Sequence, residues 1–223
     1  MPAPDGIDRS SQEASGGASN EEIVAEALRA AQPRLGLSWL DIGCGTGDLL
    51  RRIRAEWEPG RLVGVDPLPW LASDLADEVE FHQAGAEQIG SLSPVDRVML
   101  IETIEHLEAP WTVLRAAANL VAPGGRIVVS TPKVANLRHR IELALKGQLT
   151  NFRPGYEPHL TPALPHVTSR ILEEEGLTFE SVAYAGADVI PGAGGRCWPE
   201  LARERWPRLL SVSVFFSAAR SAT

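Results

Sequence analysis

Three side chains in the segment IETIEHLEAP have the types and spacing for proton transfer or metal binding: Glu102, Glu105 and His106. A helix starting at Glu102 would carry the other two at its i+3 and i+4 positions, so that all three share one face. Carboxylates held that close repel unless a proton, a cation or the imidazole lies between them. Two chemistries fit. His106 can take the proton of an acceptor hydroxyl while a carboxylate orients its ring, or the three residues can ligate a divalent metal that lowers the hydroxyl's pKa. A solvated helix end with a packed histidine is the plainer alternative.

A second constellation lies upstream in LDIGCGTGDLL, where Gly43, Gly45 and Gly47 alternate directly behind Asp41. Glycine admits tight backbone angles and close approach of a ligand, and the helix that follows offers unpaired N–H groups. The spacing excludes a dinucleotide fingerprint. Counting from Gly43, Asp48 stands where the third glycine belongs, and its charge would repel a pyrophosphate. No Gly-Lys-Ser/Thr follows, so a P-loop is excluded as well. Asp66 closes the next apolar run, RLVGVD, at the distance of about 20 residues that a ribose-binding carboxylate keeps from a glycine turn. A capping carboxylate at Asp41 and a solvated strand-end charge at Asp66 are the structural alternatives.

Strand ends must position these groups, and the chain supplies them. SWLDI, RLVGVD, VEFHQA, VDRVMLIE and RIVVST read as strands, with helices at NEEIVAEALRAAQ, DLLRRIRAEW and PWTVLRAAANLV, a short helix at LPWLASDLA and a turn at APGG. HVTSRILEEEGL reads as the last helix, ending at Gly176, and TFESVAYAG and LLSVSVFFSAAR read as a final pair of strands. Strands alternating with helices imply an α/β fold with a parallel sheet covered on both faces. Ligands then bind beyond the strands' carboxyl ends.

The stretch Asp41–Gly47 resembles motif I of the class I S-adenosylmethionine-dependent methyltransferases, and LVGVDP, VDRVMLIETIEHL and LVAPGGRIVVSTP follow in the family's order. The resemblance implies a Rossmann-like doubly wound sheet of seven strands, mostly parallel with an antiparallel last strand, and a helical lid. It implies that Asp41 faces the ammonium end of S-adenosylmethionine, that Gly43, Cys44, Gly45 and Gly47 form its cradle, and that Asp66 accepts the ribose hydroxyls. Pro67 and Leu68 would flank the adenine, backbone at Ala86 with Glu87 would hold it, and Ile101 would border the methionine end. Gly85 stands where the family often has an aspartate. Glu-x-x-Glu-His with VVSTP is similar to the O-methyltransferases of ubiquinone biosynthesis and related small-molecule and glycan enzymes. The same spacing resembles the RNA 3′-terminal 2′-O-methyltransferases, in which two glutamates and two histidines bind a metal. By that likeness Glu102, Glu105, His106 and His159 would hold Mg or Zn, with His166 as a substitute for His159.

Composition narrows the partners. A formal net charge of -8 offers little attraction to a nucleic acid, which favours a small hydroxylated acceptor. Two cysteines and no secretory signal point to a reduced, cytoplasmic protein, and no apolar run is long enough for a membrane span. Residues 1–19 are expected to form a disordered tail, with the domain over 20–223 and a lid insertion over about 133–166. On the lid helix, Leu137, Ile141 and Leu145 are expected on one face and Arg138 and Arg140 on another, with Phe152, Arg153, Tyr156 and His159 near the acceptor. The glycine-rich PGAGGRCWPELARERWP would touch the acceptor or a partner subunit, as in a homodimer. A nucleotide-dependent oxidoreductase and a non-catalytic S-adenosylmethionine-binding module are the rival readings.

Overall fold

The computed structural model describes residues 18–149, 151–152 and 159–222. Most of the expected tail, and Arg153 and Tyr156 of the lid, lie outside that range. Seven strands form one sheet: β1 (Ser38–Ile42), β2 (Arg61–Asp66), β3 (Glu80–Gln83), β4 (Val95–Leu100), β5 (Val121–Pro132), β6 (Leu177–Ala187) and β7 (Ser211–Arg220). Their order across the sheet is β3-β2-β1-β4-β5-β7-β6. The first five run parallel, and β7 pairs antiparallel with both β5 and β6. This is the expected doubly wound sheet. The order reverses between β1 and β4, which opens a crevice at the carboxyl edge there.

Alternation along the strands builds two cores, one on each face. Leu40, Ile42, Val98, Leu100, Ile127, Val129 and Phe216 meet α3 (Pro110–Asn119) and α5 (Pro165–Glu174). Trp39, Met99, Val128 and Phe215 point the other way, against α1 (Ala18–Ala31) and α2 (Asp48–Trp57). Each such fully buried aliphatic or aromatic side chain contributes about 1.5–3 kcal/mol, which makes the sheet a rigid base for its loops.

Three local expectations change. LPWLASDLA forms only a single 3-10 turn, Ser73–Leu75, because Pro67 and Pro69 lack the N–H groups that a helix start would use within the preceding loop. The APGG segment lies inside β5, whose pairing with β4 is irregular between Val95 and Arg97. No α-helix starts at Glu102. Strand β4 ends at Leu100, Glu102 has φ 50°, and a 3-10 turn covers Ile104–His106. In the insertion, α4 (Leu137–Lys146) is capped by Asn136, whose Oδ1 accepts from the His139 N–H at 2.8 Å, and it ends at Gly147 with φ 65°. The short helices α6 (Glu200–Arg205) and α7 (Pro207–Leu210) precede β7.

Candidate active site

The glycine turn leaves β1 at the crevice. The N–H groups of Gly43 and Cys44 both donate to the Val65 carbonyl, at 2.8 and 3.1 Å, so the turn is tied to β2. Gly43 has φ 80°, and a Cβ there would lie 2.5 Å from Thr103 Oγ1, while Thr103 Oγ1 itself is 3.0 Å from the Ile42 carbonyl. Only glycine fits between turn and threonine. Gly45, with φ 52°, has open space instead: a Cβ there would meet nothing within 4 Å. The turn is therefore packed from behind and bare in front.

Asp66 spans that front. Its Oδ2 accepts from the Gly45 N–H at 2.9 Å and its Oδ1 from the Leu68 N–H at 2.9 Å, which locks the carboxylate between the glycine turn and the loop after β2. Asp41 is 4% exposed, and burial with the neighbouring Asp66 charge raises its pKa to about 7. A cationic ligand group would offset both effects. The same surroundings push the Cys44 thiol upward, so it stays neutral and unreactive. Pro67 is exposed, Leu68 and Ile101 are half-buried, Ala86 is buried and Glu87 is exposed. Asp48 pairs with Arg51 at 2.6 Å on the protein surface.

Across the crevice, Glu105 is fully buried, and neither of its carboxylate oxygens has a hydrogen-bond partner among the described residues. Backbone contacts bring a distant segment to it. The Leu160 and Thr161 N–H groups donate to the Glu105 carbonyl at 2.7 and 3.2 Å, which seats His159 beside His106, with ring centroids 4.8 Å apart in an edge-on arrangement. Glu105, His106 and His159 can each turn one ligand atom to a common point, all within 4.8 Å of one another. Phe152 packs on His159 at 5.4 Å. Burial and the nearby Glu102 raise the Glu105 pKa well above the usual range, and burial with His106 lowers that of His159 to about 4. His159 is thus neutral at pH 7, as a metal ligand must be. A buried carboxylate without a hydrogen bond, with His106 Nε2 3.9 Å from its Oε1 and His159 alongside, fits a divalent metal such as zinc.

Glu102 is not in that group. It turns to Ser130, whose Oγ donates to Glu102 Oε1 at 2.7 Å, and burial raises its pKa to about 7. Ser130, with Thr103, escaped the sequence reading, although Ser130 and Thr131 end an apolar run as Asp41 and Asp66 do. His166 is exposed on the first turn of α5, outside the converging group. On α4 the expected separation of faces fails: Arg138 lines a cleft of about 350 Å³ together with Ile141 and Leu145, against Val189–Gly195. Arg138 also pairs with Glu142, one turn further along the helix, at 3.4 Å. Among the described residues, no helix is long and apolar enough to cross a membrane.

The reversal of strand order, the bare turn and the paired strand-end acids together have the form of a class I S-adenosylmethionine-dependent methyltransferase. The methyltransferase domain family matches residues 17–178, and the chain belongs to it. The ubiquinone biosynthesis O-methyltransferase of Azorhizobium caulinodans is 38% identical over 114 residues, 46% of this chain and 43% of that protein. The mitochondrial ubiquinone biosynthesis O-methyltransferase of Homo sapiens is 25% identical over 186 residues, 76% of this chain and 48% of that protein. The matches thus span under half the length of both curated relatives. The N-methyltransferase NodS of Bradyrhizobium japonicum WM9, solved with S-adenosyl-l-homocysteine, has the same fold, with TM-score 0.63 and 16% identity over 96% of this chain and 93% of that one.

Proposed function

We propose that the protein transfers the methyl group of S-adenosylmethionine to a hydroxyl of a small molecule. The observation that carries the reading is the convergence of Glu105, His106 and His159 across the crevice from the glycine turn. The relatives named as O-methyltransferases support it. The donor brings an activated methyl group, so the chain has to align the acceptor oxygen and remove its proton. Asp41 meets the donor's ammonium group and Asp66 its ribose hydroxyls. Pro67, Leu68, Ala86 and Glu87 surround the adenine, and Ile101 borders the methionine end. Glu105, His106 and His159 would hold a divalent metal. When bound, such an ion lowers the pKa of a hydroxyl at its side. Exclusion of water by the lid, over about residues 133–166, strengthens each of these charge interactions.

The same trio suits a metal-dependent RNA 3′-terminal enzyme, but a net charge of -8 opposes a polyanion. The test incubates the protein with S-adenosylmethionine and zinc or magnesium, offering catechol, a monosaccharide and a short RNA in turn, with products read by mass spectrometry. Methylated catechol or sugar, abolished by a chelator, is the expected outcome. Methylation of the RNA alone would overturn the acceptor class. Binding of S-adenosylhomocysteine without transfer to any of the three would leave a binding module.

A further inference from the structure

The lid helix α4 and the loop after β6 enclose a cleft of about 350 Å³, at the lower end of the ligand-sized range of ~300–1,000 Å³. None of Asp41, Asp66, Glu105, His106 and His159 lines it. Its body is apolar. Ile141 and Leu145 on α4 face Ile190 and Pro191, and they are 37% and 78% exposed, surface that a ligand would cover. Arg138, Glu142 and Lys146 follow at four-residue spacing along the same side of the helix. Glu142 offers one oxygen, Oε1, to both cations, 3.4 Å from Arg138 Nε and 4.0 Å from Lys146 Nζ. One negative charge between two positive ones leaves this wall cationic. Burial also raises the pKa of Asp188 at the base of the loop, which favours its neutral form.

The opposite wall is a pinned hairpin with a glycine tip. Val189 bridges Cys197, the Ile190 N–H donates to the Arg196 carbonyl at 2.8 Å, and the Trp198 N–H donates to the Asp188 carbonyl at 3.0 Å. At the tip, the N–H groups of Gly192, Gly194 and Gly195 have no acceptor among the described residues, and all three glycines line the cleft. Their φ angles are 76°, 62° and 86°, and a Cβ on any of them would meet nothing within 4 Å, so the backbone there is open to a ligand. Unbonded N–H groups in a turn form a concavity suited to anions.

We propose that this cleft is a binding site, separate from the donor and metal groups, for a small molecule whose apolar body ends in a phosphate or carboxylate. The anionic oxygens lie between the glycine tip and the Arg138 and Lys146 side chains, and the apolar body lies against Ile141, Leu145, Ile190 and Pro191. Both halves are needed. Exposed cations and N–H groups are hydrated in the free protein, so a bare anion gains little by replacing that water. An apolar body adds the release of water from Ile141 and Leu145, and the charge then selects among apolar molecules. The inference uses none of the groups assigned to the donor or the metal, so it does not depend on which acceptor is methylated.

The test is calorimetric titration of the full chain with phenyl phosphate, benzoate, phenol and inorganic phosphate, each with and without S-adenosylhomocysteine. Phenyl phosphate, benzoate or both should bind one to one, about fivefold or more tighter than phenol and inorganic phosphate, and S-adenosylhomocysteine should not displace them. Binding of only one of the two anions supports the site and identifies its anionic group. Arg138→Gln combined with Lys146→Gln should weaken that binding by about fivefold, with the Tm and S-adenosylhomocysteine affinity nearly unchanged. If the double variant does not fold, Lys146→Glu on the exposed end of the helix takes its place, with a loss at least as large expected. Four results would each overturn the proposal: no binding of either anion at about 10 mM, phenol or inorganic phosphate binding as tightly as the aryl anions, full affinity in the variants, or displacement by S-adenosylhomocysteine.

Discussion

Two pairs of acids stand at neighbouring strand ends, and the fold treats them in opposite ways. Asp66 is satisfied by its own chain, each carboxylate oxygen taking one backbone N–H. Glu105 is buried with no hydrogen bond to either carboxylate oxygen among the described residues, and His106 Nε2 lies 3.9 Å from its Oε1. A buried carboxylate without a partner costs several kcal/mol unless it is protonated or meets a cation. Asp66 thus needs no ligand to be satisfied, whereas Asp41 and Glu105 are buried acids whose raised pKa values a nearby cation would bring back down. On the proposed reading, that contrast separates the preformed ribose contact from the groups that wait for a positive charge.

The strongest break of that comparison is removal of the donor-side acids. Asp41→Ala combined with Asp66→Ala should weaken S-adenosylhomocysteine binding by more than about a hundredfold, since each charge-assisted contact contributes about 1.5–3 kcal/mol. Glu105→Gln should leave the same calorimetric titration nearly unchanged. Equal losses from the two sides would mean that they do not act separately. Retained affinity in the double variant would remove both aspartates from the donor site.

Legibility in the sequence follows the same division. Donor-side residues are read from a contiguous stretch, because one turn between β1 and α2 places Asp41, Gly43, Gly45 and Gly47 within seven residues, and Asp66 needs only the adjacent parallel strand. The strands and the parallel sheet were legible from alternating apolar runs, the antiparallel last strand only through the family resemblance, and the strand order comes from the structure. The acceptor side joins remote pieces. His159 is brought beside Glu105 by two backbone hydrogen bonds from 160 and 161, and Ser130 reaches Glu102 from β5, contacts that no local spacing encodes. The expected helix at Glu102 failed for a physical reason: Ser130 stabilises a left-handed residue there, and a helix cannot pass through it.

A smaller effect sharpens the donor side through pH. Asp41 has a pKa of about 7 in the folded chain against about 3.9 when unfolded, so the folded chain keeps a proton that the unfolded chain releases. Its contribution to stability is therefore full below pH 4 and is lost as pH rises towards 7. Asp41→Asn should remove this slope. Relative to the variant, the unaltered protein should lose about 2–3 kcal/mol between pH 5 and pH 8, read from urea unfolding. A donor ammonium placed on Asp41 would also expel the proton. Calorimetric titration with S-adenosylhomocysteine at pH 6, in two buffers of different ionisation enthalpy, should then show release of roughly one proton. Buffer-independent heats would put the ammonium elsewhere.

The smallest effect concerns Asp48, which occupies the place of a dinucleotide site's third glycine. Here its carboxylate pairs with Arg51, which also reaches Asp74 at 3.0 Å, and all three side chains are substantially exposed. Exposed ion pairs contribute little, because water and salt screen them. Arg51→Ala should therefore change S-adenosylhomocysteine affinity by less than about twofold and the Tm by no more than about 2 °C. The turn's shape comes from the Gly43 and Cys44 bonds to Val65 and from Thr103 packed behind it, not from surface charge. A loss of affinity larger than about tenfold would show that the Asp48–Arg51 pair steers the turn. In that case the proposed donor side would depend on screened surface charge, and its contrast with the buried Glu105, which has no hydrogen bond to either oxygen among the described residues, would narrow.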